Sequence, residues 1–226
     1  ISNKIVINRI PAKNDEHMIN PNSTQHNVPA WSIFAIFFMV VSLGANIVKE
    51  RVNGSFLRLK TTPTNYTHIL SAKMIVYMMV AALQFALIFS IGITIFPLIN
   101  LPQLVLPSAF FAFIAMILMC SLAAVSYAMM IGALSKTQEQ SNGVGAISII
   151  IFAALGGVWV PTFVMPEYLQ IISNFSPMHW CLEGFYILFL KGGSWNQLFP
   201  IIGFLFVFIV VCQVTTYIKL KIEKLI

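Results

Sequence analysis

Long apolar runs separated by short polar breaks dominate the chain. The runs cover about residues 29–48, 69–96, 107–134, 143–160 and 197–217, each near the roughly 20 residues that a helix needs to cross the hydrocarbon core. The pattern predicts an all-α polytopic membrane protein with five transmembrane helices. Pro29 and Trp31 stand where a helix-start residue and an interfacial aromatic are expected in the first run. The fourth run contains Gly145, Ala146, Ala153, Ala154, Gly156 and Gly157, small residues that permit close helix packing in lipid. From Pro161 to Trp195 the pattern breaks, with Pro161, Pro166, Pro177, Glu167, Glu183 and Lys191 scattered among aromatics. That segment, 161–195, is expected to enter the membrane and return as a re-entrant helical hairpin.

Between the first two runs, Val48, Val52, Phe56 and Leu59 recur at helical spacing while Lys49, Glu50, Asn53, Arg58 and Lys60 take other faces. The spacing predicts an amphipathic surface helix over residues 49–60, ended by Thr61-Thr62-Pro63 because the residue before proline disfavours helix. Such a helix either joins two spans or docks a cytoplasmic partner. Residues 1–27 are polar and read as the end of an extracytoplasmic region, in which Ile5 and Ile7 alternate as in a strand. The first residue is Ile1, and no basic-then-apolar leader precedes the first run, so a longer product with an N-terminal portion is expected.

Composition agrees with this reading: 58% of the 226 residues are hydrophobic and 9% charged, against about 25% charged in soluble domains. Charge then orients the chain. Lys49, Arg51, Arg58, Lys60, Lys73, Lys136, Lys219, Lys221 and Lys224 fall on one side of a five-span arrangement, against Lys4, Arg9, Lys13 and Lys191 on the other. The first side is expected to be cytoplasmic. A sixth crossing at 178–190 would strand the terminal lysines outside. The net charge of +6 is thus explained by topology, and no basic stripe with interleaved aromatics points to nucleic acid.

Candidate chemistry is sparse. Cys120, Cys181 and Cys212 are far apart in apolar surroundings, and His17, His26, His68 and His179 are isolated, so neither a disulfide framework nor a metal site is expected. Glu183 is the single carboxylate of the run HWCLEGFYILFL; it is either an intramembrane functional group or a hydrated interfacial one. Asn22, Asn53 and Asn65 open short glycosylation-type triplets, a frequent match that carries no meaning on a cytoplasmic face. No HExxH, GxSxG or phosphate-cradling GxxxxGK[ST] is present, which argues against an enzyme and against a nucleotide site in this chain. A secondary transporter or channel not driven by ATP is the alternative, but the spans hold little polar beyond Gln84 and Gln213.

The run KERVNGSFLRLKTTPTNYTHILSAK, following PAWSIFAIFFMVV, resembles the ATP-binding cassette (ABC) type-2 permeases. The matching positions are Glu50, Arg51, Gly54, Arg58, Leu59, Pro63, Ala72 and Lys73, with Ala72 where the family often has Gly. A second block, GGVWVPTFVMPEYLQIISNFSPMHWCLEGF, is similar to the family's extracellular re-entrant element, with Pro161, Pro166 and Pro177 in register, and Lys136 to Gln140 is similar to its loop between middle spans. The resemblance covers Val28 to the C-terminus. It implies six spans in the full chain, one of them before Ile1, and a bacterial inner (plasma) membrane location. The implied partners are an ABC ATPase subunit, which carries the ATP and Mg, and a second permease subunit. The chain itself then needs no cofactor. Glu50, Arg51, Gly54, Arg58 and Pro63 become candidates for coupling to the ATPase. Pro161, Pro166, Pro177 and Glu183 become candidates for an extracellular gate, or an inert cap on the bundle. The implied activity is ATP-driven export of a hydrophobic or amphipathic substrate whose identity no side-chain pattern selects.

Overall fold

The computed structural model describes residues 23–53, 66–190 and 195–222. The described residues form seven α-helices and one 3-10 turn. They are α1 (Ser23–Val52), α2 (Tyr66–Leu98), α3 (Phe110–Leu134), α4 (Gln138–Leu155), the 3-10 turn (Thr162–Val164), α5 (Glu167–Ser173), α6 (Pro177–Leu190) and α7 (Trp195–Ile222). Residues 1–22 and most of the expected surface helix, residues 54–60, lie outside the described residues.

Among the described residues, α1, α2 from His68, α3 and α7 are long and apolar enough to cross a membrane. Their burial differs. In α3 and α1, 61% and 50% of the most apolar window is buried, against 28% in α7 and 17% in α2, so the first two are the inner pair and the last two face outward over most of their surface. The 18-residue α4 packs against α1 and opens on Gln138, Glu139 and Gln140, which leaves a shorter apolar stretch than the four others have.

The inner pair meets backbone to backbone. A Cβ placed on Gly132 of α3 would come within 2.9 Å of the Gly44 carbonyl oxygen and 3.1 Å of the Gly44 Cα of α1. A Cβ on Gly44 would in turn lie 2.5 Å from Ser141 Oγ of α4. Three helices therefore share one point of closest approach, the type of packing that small residues permit where lipid supplies no hydrophobic drive.

Several boundaries differ from the expected ones. Pro29 lies inside α1, six residues from its described start at Ser23, and does not open it. The missing proline N–H removes one ladder bond, while α1 is held there on its buried side by Val28, Ala30 and Ile33. The fourth apolar run stops being helical at Leu155, short of residue 160, because Gly157 adopts φ 88°, the left-handed conformation that ends helices. Gly156 and Gly157 thus terminate α4, where the sequence pattern had placed them within a span. The Phe152 carbonyl accepts the capping Gly156 N–H at 2.7 Å, and Ser176 Oγ donates to the same oxygen at 2.8 Å, tying the end of α4 to the start of α6.

The 14-residue α6, about 21 Å long, is shorter than the hydrocarbon thickness. It runs antiparallel to α3: Phe189 packs on Phe113 with ring centroids 6.0 Å apart, Gly184 lies against Met116, and Cys181 meets Cys120. The rings of Phe85, Phe89, Phe113, Phe185 and Phe189 form one cluster, from 5.3 Å between Phe89 and Phe113 to 6.3 Å between Phe185 and Phe189, joining α2, α3 and α6. Each such pair contributes about 0.5–1.5 kcal/mol beyond burial.

Replacing Gly132 with Leu should lower stability by about 1–3 kcal/mol through overpacking against the α1 backbone. Gly203→Ala in α7, where a Cβ meets nothing within 4 Å, should be neutral or stabilising by up to about 1 kcal/mol. Thermal unfolding of both variants in detergent micelles checks the contrast.

Candidate functional site

The ends of several helices that bear basic residues gather at one end of the bundle. Lys49 and Arg51 close α1, Lys73 lies near the start of α2, Lys136 links α3 to α4, and Lys219 and Lys221 close α7. A small cavity of about 160 Å³ lined by Leu70, Met74, Met129, Gln213 and Tyr217 brings the start of α2 beside the ends of α3 and α7. Just inside it, Gln213 Nε2 donates to Ser126 Oγ at 3.0 Å, so the amide in α7 is satisfied by a hydroxyl of α3. Asn46 Nδ2 of α1 likewise donates to the Tyr77 hydroxyl of α2 at 3.3 Å.

Glu50 and Arg51 stand at the centre of this end, in the last turn of α1. Lys73 Nζ donates to Glu50 Oε1 at 2.6 Å, and both groups retain partial exposure. Arg51 turns the other way: its guanidinium donates to the Ala133 carbonyl at 2.8 Å and to the Ser135 carbonyl. Those carbonyls belong to the C-terminal turn of α3, where backbone acceptors lack helical partners and the helix dipole favours a cation. Ser135 Oγ adds a bond to Ile131 O at 2.8 Å. Adjacent residues of α1 therefore clamp the start of α2 and the end of α3.

Of the candidate coupling residues, Glu50 and Arg51 come together, while Gly54, Arg58 and Pro63 lie outside the described residues. Lys49 to Val52 continue α1 without a break. Lys73 and the α3 carbonyls were missed as partners of the pair. The signal for Lys73 was available, since a lysine near the start of the second span must approach the acidic residue ending the first.

At the opposite end, Pro161, Pro166 and Pro177 each start a helical segment: Pro161 precedes the 3-10 turn, Pro166 precedes α5, and Pro177 is the first residue of α6. Proline suits those places because the missing N–H has no helical acceptor there. Glu183 lies half-buried on α6, one turn after His179. Tyr186, on the same helix, meets His26 of α1 through a hydrogen bond and a ring stack with centroids 5.7 Å apart. Among the described residues no cluster of His, Cys, Asp or Glu has the makings of a metal site.

The model of the family described as "ABC-2 type transporter" matches residues 5–190. The chain is similar to the "Putative transport permease YvfS" of Bacillus subtilis (strain 168), 28% identical over 204 residues that make up 88% of this chain and 78% of that protein. It is also similar to the "Linearmycin resistance permease protein LnrN" of the same organism, 23% identical over 187 residues, 83% of this chain and 47% of that protein. The chain thus spans about half the length of the second relative.

Arg51→Ala should cost about 1–3 kcal/mol, since it strips charge-assisted bonds from carbonyls at the end of α3. A double-mutant cycle on Glu50→Gln and Lys73→Met should return a coupling below about 1 kcal/mol, because both groups remain partly hydrated. Unfolding in detergent measures both, and a coupling larger than the Arg51 effect would reverse the ranking.

Proposed function

The chain belongs to the ABC-2 type transporter family, and from that premise we propose that it moves a hydrophobic or amphipathic substrate outward using ATP hydrolysed by a separate subunit. It is a multi-pass membrane permease, and its family implies an ABC ATPase as partner. The energy source, direction, substrate class and pairing with a second permease subunit belong to the proposal. So do the five crossings of this chain, with α4 as the fourth, and the re-entrant course of 161–195.

The observation that carries the reading is the clamp made by Glu50 and Arg51. A force applied to the polar segment that follows α1 acts on the residues that hold α2 and α3. Those residues lie at the lysine-rich end, which the charge bias assigns to the cytoplasm, where an ATPase subunit has access. On this reading Gly54, Arg58 and Pro63 belong to the docking segment. Outward movement is favoured by the relative LnrN, whose name makes it a resistance permease.

The re-entrant course is favoured by the register of α6. Its first residues lie beside the middle of α7, with Trp180 stacked on Phe204 at 4.1 Å, and its last residues pack near the start of α3 through Phe189 and Phe113. A 14-residue helix in that position rises from within the bundle to the face opposite the lysines. Pro161, Pro166, Pro177 and Glu183 then belong to an element over the outer half of the pathway, suited to a gate.

The test is reconstitution of the full-length protein with its ATPase in vesicles. Glu50→Ala combined with Arg58→Ala should lower transport-coupled ATP hydrolysis about tenfold, as expected for losing a charge-assisted contact of roughly 1.4 kcal/mol or more, while membrane insertion persists. Lys73→Met breaks the same internal ion pair and serves as control. Coupling that survives the double variant, or that Lys73→Met abolishes equally, removes the docking role.

A further inference from the structure

Two cavities meet on the face where α5, α6 and α7 come together. One is an apolar groove of about 610 Å³ that runs from Asn174 and Phe175 past Trp180 and along Phe204, Phe208 and Val211 of α7. The other is a chamber of about 420 Å³ lined by Thr162, Glu167, Gln170, Asn174 and His179. Asn174 belongs to both. Its carbonyl accepts a hydrogen bond from Trp180 Nε1 at 2.8 Å, which fixes the indole as a wall of the groove and anchors the rim of the chamber. The neighbouring His179 faces the chamber. The α5–α6 turn thus separates an apolar groove from a polar recess across a single shared residue.

From this juxtaposition we infer that α5, α6 and α7 form a binding site for an amphiphile with one hydrocarbon tail and an amine head. The tail lies in the aromatic groove and the head sits in the chamber beside Glu167. The groove is wide enough for an alkyl chain and offers it almost nothing but apolar side chains, including Val207. The chamber offers the carboxylate of Glu167, which makes no ion pair among the described residues, and the carboxamides of Gln170 and Asn174. A cationic donor complements that set, because charge-assisted bonds to a carboxylate are stronger than neutral ones, whereas an anionic head meets repulsion. The groove runs from Asn174 along Phe204, Phe208 and Val211 of α7, so the tail lies along α7 and the head at the α5–α6 turn. Placement of the groove in lipid rests on the topology proposed above, but occupancy of the site requires neither ATP nor the ATPase. Loss of coupling would leave the binding test intact.

The experiment uses full-length protein in phosphatidylcholine nanodiscs without ATPase, with three twelve-carbon probes carrying a photoactivatable group on the tail: an amine, an alcohol and a sulfate. The amine should label peptides containing Trp180 and residues 204–211, and unlabelled amine should compete at about threefold lower concentration than the alcohol, the ratio expected for an ion pair at an exposed carboxylate. Glu167→Gln should erase that preference while leaving alcohol labelling unchanged. Val207→Trp, which fills the groove, should remove labelling by amine and alcohol alike. Should Val207→Trp fail to fold, the Glu167→Gln comparison at an exposed position still decides. Equal labelling by amine and sulfate, or an unaltered preference in Glu167→Gln, overturns the head assignment. Labelling elsewhere, or a Phe175→Cys variant that cross-links two copies face to face and loses no binding, overturns the groove, since a second copy would then occupy it.

Discussion

Close approach of the α1 and α3 backbones at Gly44 and Gly132 is the constraint on which the rest of the arrangement depends. In lipid, burying an apolar side chain between helices gains little over leaving it among acyl chains, so packing density and polar contacts decide which helices associate. With side chains absent at that crossing, the axes come near enough for Arg51 to reach the carbonyls ending α3. α4 uses the same point, since Ser141 Oγ sits over Gly44. That hydroxyl is buried with no hydrogen-bond partner among the described residues, at a cost of about 1–3 kcal/mol, which the tight three-helix contact must offset.

The second constraint concerns α6. A 14-residue helix cannot cross the hydrocarbon core, and the irregular backbone preceding it carries groups that lipid cannot satisfy. Local devices meet much of that demand. Three prolines bring no N–H to positions that would leave one orphaned, the buried Ser176 hydroxyl finds an acceptor in the Phe152 carbonyl, and Trp180 satisfies the carbonyl of Asn174. The phenylalanine cluster then holds α6 against α2 and α3. Chemistry in this segment is therefore inseparable from its packing: the side chains of Glu167, His179 and Glu183 are displayed by an element whose position is set by aromatic contacts.

The main apolar helices were legible because a run of twenty apolar residues has few other physical outcomes; residues 69–96, 107–134 and 197–217 all fall within or nearly within observed helices. What local patterns carry poorly is the choice between alternatives set by tertiary contact. Gly156 and Gly157 have the composition of a packing stripe, yet the left-handed φ of Gly157 ends α4. Glu50 and Arg51 have the look of exposed docking charges, yet both bond within the bundle, because the partners supplied by Lys73, Ala133 and Ser135 are 23, 82 and 84 residues away. Pro29 reads as a helix start only while the polar residues before it are taken as loop, and Ser23 to Val28 are helical.

These placements bear on how motion passes through such a permease. A lever hinged freely on the first span would move without disturbing its neighbours. Here the last turn of α1 is joined on one side to α2 by an ion pair and on the other to α3 by a guanidinium cap, and higher up α1 touches α6 through His26 and Tyr186. Displacement of the polar segment beyond Val52 therefore meets two unequal resistances: the partly exposed ion pair is weak, while the capped carbonyls lie at the helix end, where helical N–H donors run out. α1 and α3 should then move as one body, with the Glu50–Lys73 contact as the place that yields. The phenylalanine cluster joins α6 to α2 as well as to α3, so the outer element is packed against helices on both sides of that contact.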